Sequence, residues 1–377
     1  SGRLTSLNLN PQESKEIFFN TSNIVQRAGV RYFLTVEAKT KNSKPLVPKK
    51  HLVAWEQFEL PLYLPLSKKE TNAQFDLVTQ ENDTLIEIKS NDVHIVFDKE
   101  TGFLESYEVG LVKYLKHPIV SNFWRAPNDN DLGNGMPKRT GIWKDAGKRM
   151  QLKDIAVSEV ENSIQVSSIH FDSLSSTTIF TKYKIYNEGA IHLDRKIEIL
   201  DSTLPEIPRI GVKLSMLGSF NNVTWFGRGP HESYWDRKQS AAIGVYSGSV
   251  WDQTYRYVRP QETGNKTDVF WMAVFNEKRN GLMAVGLPSF DGSVHRYPYD
   301  DLDYYPGAQR HGKLDLVPKD HTDWLIDIKQ MGVGGDNSWG AKPMKKYTLY
   351  PGVYNQSMLL IPFTSQGDFT KLSKKRF

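Results

Sequence analysis

The chain has 377 residues, 48 Lys+Arg against 43 Asp+Glu for a formal charge of +5, 39% apolar residues and no cysteine. The absence of cysteine excludes a disulfide framework, a thiolate metal site, an iron–sulfur cluster and a Cys nucleophile. No apolar stretch approaches the ~20 residues of a membrane helix, and the mixed charge lacks the basic stripe of a nucleic-acid binder, the tail Lys371–Arg376 reading as a solvated terminus. Ser1-Gly2 stands where an initiator Met would be. It reads as a cloning remnant, so the native start is expected to be missing, and with it any targeting signal.

The hydrophobic period is two along most of the chain. Tyr32, Leu34, Val36 and Ala38 alternate with Phe33, Thr35, Glu37 and Lys39, which predicts a strand. Pro61, Pro65 and the polar run Ser67–Asn72 then interrupt the pattern. The roughly 60 residues before this break are marginal for a core of their own. They read as the end of a sandwich whose first strands lie elsewhere. Further strands are predicted from Val93, Ile95 and Phe97, from Ile164, Val166 and Ser168, and from Ile191 to Ile199. The best helical piece is short, near Trp143 to Met150. Turns are predicted at 99–102, 187–189 and 351–352, and Asn280-Gly281 suits a type I′ hairpin. Short strands at this spacing predict an all-β sandwich rather than βαβ units.

Four segments carry more chemistry than strand propensity explains. In 122–135, Phe123, Trp124 and Arg125 precede Asn128-Asp129-Asn130-Asp131 and Gly133. Asx residues bond their own backbone, so this reads as an ordered polar loop, with sugar hydroxyls or a cation at Asp129 and Asp131 as the other reading. In 225–234, Gly227, Gly229 and Pro230 mark a bend before His231 and Glu232, either a capped turn or an acid–base pair. In 293–303, His295, Asp300, Asp301 and Asp303 crowd two tyrosines; His311 and His321 further on do not form a helical metal pair. In 331–340, a run of glycines with Asp336, Asn337 and Ser338 precedes Trp339. It lacks the Lys-Ser/Thr of a phosphate loop. Trp339 either stacks on the C–H face of a sugar or plugs a core. There is no GxSxG elbow and no nucleotide fingerprint.

Asn122-Phe123-Trp124-Arg125-Ala126-Pro127 with Asp129-Asn130-Asp131 and Gly133 resembles the opening motif of the C-terminal domain of β-galactosidases of glycoside hydrolase family 2. Trp225–Tyr234 with Asp236-Arg237 is similar to that domain's central motif, and Met331–Trp339 resembles its C-terminal signature. Leu52–Phe58 resembles the last strand of the immunoglobulin-like domain that precedes it. The resemblance spans about residues 85–365. It implies a galactose-mutarotase-like β-supersandwich over 83–377, a linker at 63–82 and a partial immunoglobulin-like sandwich over 1–62. It also implies a parent enzyme that cleaves terminal β-galactosides with retention through two glutamates on a TIM barrel, assisted by Mg and Na. The barrel, its glutamates and its ion ligands would lie outside this chain, which is expected to be inactive alone, without catalytic or metal-binding residues and without a cofactor.

By the same resemblance Trp339 becomes the platform for the aglycone sugar. In the family a mobile loop follows the first motif and closes during the reaction; here it would begin at Gly133 and run through Asn134, Gly135 and Met136 to Pro137, with Gly133 and Asn134 as further substrate-binding residues. Expected partners are the galactoside, the catalytic barrel domain or large subunit, and further copies of the whole enzyme, with no nucleic acid and no membrane. The competing reading is a stand-alone sugar-binding or epimerase-like sandwich, for which His231 and Glu232 are the nearest acid–base candidates.

Overall fold

A computed structural model describes residues 2–4, 7–66, 75–297, 299–303, 316–337, 339–364 and 367–377, with the backbone alone for 299 and 300. The linker residues 67–72, Pro298, the Asp300 side chain, His311 and Ser338 therefore lie outside the described residues. The chain forms two compact units, residues 1–68 and residues 69–375 with Phe377.

The first unit contains one antiparallel pair, Tyr32–Lys39 against Leu52–Leu60, with Tyr32 opposite Leu60. Leu52, Val53 and Phe58 remain exposed. Among the described residues of this unit no further strand adds a second layer to bury a face against.

The second unit is nearly all strand. Strands Val78–Glu81, Leu85–Lys89, Val93–Asp98, Leu104–Val109 and Val112–Lys113 make a five-stranded antiparallel sheet. A twelve-stranded sheet takes the rest. The alternation read in the sequence is what the sheet buries: Ile164–Asp172, Thr177–Ile185 and Ile191–Ile199 each bury every second residue. Ile86, Ile95, Phe97 and Tyr107 of the smaller sheet share one core with Ile164, Val166, Tyr183 and Leu193 of the larger. The 15-residue strand Gly281–His295 changes partners along its length. On one edge it pairs with Lys266–Phe275 from Gly281 to Gly292, and on the other its first part pairs with Val353–Phe363 and its last part with His321–Gln330. Strands that switch partners in this way turn the corners of a curled sandwich.

Two local expectations need correction. The hairpin at Asn280-Gly281 exists, but its left-handed residue is Arg279, at φ 58°, and Gly281 already begins the next strand. Glycine is required there for space: a Cβ would meet the Val274 carbonyl oxygen at 2.4 Å. The segment after Asn128 is not an open loop throughout, because Asp129–Gly133 and Met136–Arg139 are short helical turns. The helix expected at 143–150 appears as a 3₁₀ turn, Gly141–Trp143, followed by Ala146–Arg149.

Candidate functional site

Two segments far apart in the chain, residues 125–131 and Asp236, meet under the backbone of a third, Met331–Gly334. From the first, the fully buried Arg125 donates to Asp131 Oδ1 at 2.9 Å, to the Gly332 carbonyl at 2.9 Å and to the Met331 carbonyl. The planar guanidinium holds these acceptors with a rigid fork of donors, a geometry that the compact ammonium of lysine does not match. Asn128 and Asp131 cap the turn Asp129–Gly133 reciprocally: Asn128 Oδ1 accepts from the Asp131 N–H, and Asp131 Oδ2 from the Asn128 N–H. The amides of Asn128 and Asn130 both donate to the Val333 carbonyl, at 3.3 and 3.1 Å. From the second segment, Asp236 accepts the N–H groups of Val333 and Gly334.

Above this brace the chain bends toward Trp339. The Trp339 N–H donates to Asn337 Oδ1 at 2.8 Å, and the indole is 91% exposed. Among the described residues of this chain, the indole therefore plugs no core. Gly340, at φ 87°, packs against Gly133 so closely that a Cβ would lie 2.5 Å from the Gly133 carbonyl oxygen. Gly133 thereby lies beside the Trp339 loop, with Asn134 next to it. Asn134 is tied down by Arg139, whose guanidinium also pairs with Glu206 at 2.7 Å.

The Asx and His candidates do not converge. Asp131 is consumed by Arg125, while Asp129 pairs with Arg259 at 3.2 Å, so the two do not act as joint cation ligands. His231 is exposed and meets Ser240, whereas Glu232 points inward. Glu232 accepts from Tyr257, from the Gly264 N–H at 2.8 Å and from Arg237 at 2.8 Å, and thereby clamps the connection between two strands. Burial pushes the Glu232 carboxyl up, but these donors outweigh it and hold it below its ordinary range. A base so occupied is not placed for proton transfer with His231. Asp303 accepts from the Trp124 indole and pairs with Lys144. His321 lies between Asp320 and Asp323.

Sequence reasoning missed a buried ionic triad. Arg209 Nη2 meets Glu262 Oε1 at 3.1 Å, and Arg209 Nε meets Asp327 Oδ2 at 3.0 Å, all with at most 1% of the side chain exposed. Gln330, opposite Arg209 in the strand register, donates to the same Glu262 oxygen. Desolvation raises both carboxyls despite the Arg209 charge, Asp327 well above its ordinary value. The available signal was Asp327 between Ile326 and Ile328, a charge inside an apolar strand.

His295 is buried near the triad, with Nδ1 3.3 Å from Thr254 Oγ1. Burial, then the charges of Arg209 and Lys266, lower its pKa from 6.5 to about 3. Between those values only the unfolded chain takes the proton, so this ring subtracts stability as the pH falls below 6.5. The slope is expected to approach about 1.4 kcal/mol per pH unit. Urea unfolding of His295→Asn beside wild type should show a shallower loss on acidification. Parallel pH profiles would mean that the folded ring accepts the proton.

The fold and site together define an all-β sandwich module that presents a braced, exposed indole. Residues 89–360 match the family described as the β-galactosidase small chain, and residues 1–61 match β-galactosidase domain 4. The chain belongs to the β-galactosidase small-chain family. It is 33% identical over 320 residues to a β-galactosidase of Priestia megaterium, covering 85% of this chain and 30% of that protein. To a β-galactosidase of Pseudoalteromonas haloplanktis it is 28% identical, covering 94% of this chain and 34% of that protein. The chain thus spans about a third of the length of the curated relatives it matches. Among solved structures, a galactose 1-epimerase from Lactobacillus acidophilus aligns over 77% of this chain and 99% of its own, with a TM-score of 0.43 and 9% identity.

Proposed function

We propose that the chain is the C-terminal part of a β-galactosidase that hydrolyses terminal β-galactosides such as lactose with retention. In this reading the two catalytic glutamates lie on a TIM barrel outside the chain, and residues 1–62 belong to an immunoglobulin-like sandwich. The chain contributes structural support and Trp339, whose indole covers the apolar C–H face of the aglycone sugar. Mg and Na, which the family resemblance attaches to the whole enzyme, take part in no step assigned to these residues.

The observation that supports this reading best is the brace under Met331–Gly334. Two segments that each resemble a family motif spend buried charge and hydrogen bonds on the short backbone stretch of a third, and the side chain carried beyond it is an exposed tryptophan. An indole held out in solvent on a fixed support buries apolar area only when something arrives to cover it.

The test is hydrolysis of a chromogenic β-galactoside by the chain alone and mixed with the barrel-containing part. Activity is expected only in the mixture, and activity of the purified chain alone would overturn the assignment. In the mixture, Trp339→Ala should lower kcat/KM for lactose about fivefold, as expected for a stacking contact of about 1 kcal/mol. The urea midpoint of the chain should not move, because exposed positions contribute within about 0.5 kcal/mol.

A further inference from the structure

The carbonyls of the bend that leads to Trp339 are held by Arg125, Asn128 and Asn130, and the N–H groups of Val333 and Gly334 by one carboxylate. Asp236 Oδ1 accepts the Val333 N–H at 3.0 Å and Oδ2 accepts the Gly334 N–H at 2.8 Å. Two successive N–H groups aim at one carboxylate only because the backbone turns between them, and Gly334 sits at φ 69°. The approach is tight on the other side too: a Cβ on Gly332 would lie 2.6 Å from Asp236 Oδ2. The carboxylate is itself fixed. Its turn is closed by reciprocal N–H to carbonyl bonds between Tyr234 and Arg237, at 3.0 and 2.8 Å. Trp235 packs edge-on against Tyr347, at 5.7 Å between centroids, and the Tyr347 carbonyl accepts the Gly332 N–H at 2.7 Å. Gly334 lies five residues before Trp339.

We propose that Asp236 is a positioning residue for the aglycone sugar: it sets where the Trp339 indole stands, and through it the use of substrates with a second sugar, without touching that sugar. This rests on the reading of Trp339 as a sugar platform. A carboxylate is the group required, because both of its oxygens accept. An asparagine of the same shape would turn an N–H donor toward one of the two backbone N–H groups.

The experiment uses the complete enzyme, this chain together with its barrel-containing part. Wild type, Asp236→Asn, Trp339→Ala and the double variant are compared on lactose and on β-galactosyl fluoride, which has no second ring. Asp236→Asn is expected to lower kcat/KM for lactose about fivefold and to change the fluoride reaction less than about twofold, a small displacement being enough to weaken a contact. The double variant should be no worse than Trp339→Ala, since the carboxylate then has no indole to place. A loss of lactose use in Trp339→Ala but not in Asp236→Asn would overturn the positioning role and leave the platform intact. An equal loss on both substrates in Asp236→Asn would mean a general structural role, and would also overturn it. An unchanged Trp339→Ala would remove the platform itself. Independently of any variant's folding, the Val333 and Gly334 amides of the wild type should exchange their hydrogens slowly. Exchange at the rate of an open chain would overturn the proposal.

Discussion

Replacing Arg125 by alanine is expected to cost about 3–5 kcal/mol of folding free energy, the scale of removing one partner from a buried ion pair. The side chains of Arg125 and Asp131 are both fully buried. Burial already raises the Asp131 carboxyl against the pull of Arg125. Without the guanidinium, Asp131 must either keep an uncompensated charge or take up a proton, and the carbonyls of Met331 and Gly332 lose a donor. Against a typical total of about 5–15 kcal/mol this is a large fraction. Urea unfolding should read it as a shift of midpoint at constant slope. The deficit should shrink as the pH is lowered. The raised carboxyl of the variant binds its proton in the folded state before the unfolded chain does, and so gains stability on acidification. Arg125→Lys should recover only part of the loss, because an ammonium is a point donor and the site uses a fork. A cost below about 1 kcal/mol for Arg125→Ala would mean that water replaces the guanidinium.

Arg209→Met should be at least as damaging, again by about 3–5 kcal/mol. It leaves Glu262 and Asp327 facing each other in a dry interior with their cation gone. Desolvation already raises both carboxyls, with a further rise for Asp327 from Asp291 and Glu262 and for Glu262 from Glu232, so the folded variant is expected to keep their protons to higher pH than the wild type. The informative comparison is the triple change Arg209→Met, Glu262→Gln and Asp327→Asn. Removing both charges with the arginine should restore part of the stability, since an ion pair removed as a whole costs less than one broken on a single side. Thermal unfolding of the three proteins checks the order: wild type above the triple variant, and the triple variant above Arg209→Met. A triple variant no better than Arg209→Met would mean that packing or hydrogen bonding around the arginine, rather than charge, carries the effect.

The two networks share a logic that bears on the site. Each places an arginine where several distant segments must be held at once. Arg125 joins the first motif to the Trp339 loop, and Arg209 joins the strand Arg209–Leu217 to Glu262 and to the strand His321–Gln330. Glu232 does the same for the connection that carries Tyr257 and Gly264. The support of the exposed indole is thus held by polar contacts in addition to the apolar packing of Met331 with Phe123 and Trp124, and polar contacts are directional. That is the condition for presenting one side chain at a defined place on a surface.

By itself the sequence determined the class of fold and where the chemistry would concentrate. Period-two alternation at 93–98, 164–172 and 191–199 survives as half-buried strands, because a pleated strand sends successive side chains to opposite faces whatever its partners are. The segments 122–135 and 331–340 were legible because Gly, Asn and Asp in such density serve few structures other than ordered turns, and 225–234 because Gly227, Gly229 and Pro230 mark a bend. Which residues would pair was not legible. The contacts of Arg125 with Gly332, of Asp236 with Gly334 and of Arg209 with Asp327 join positions about a hundred to two hundred residues apart, and local spacing carries no information about them. The same limit made Asp129 and Asp131 look like a pair, although one faces solvent and the other is sealed against an arginine. It also left Trp339 undecided between plug and platform. Burial is a property of the assembled sheets, and only they placed that indole in solvent.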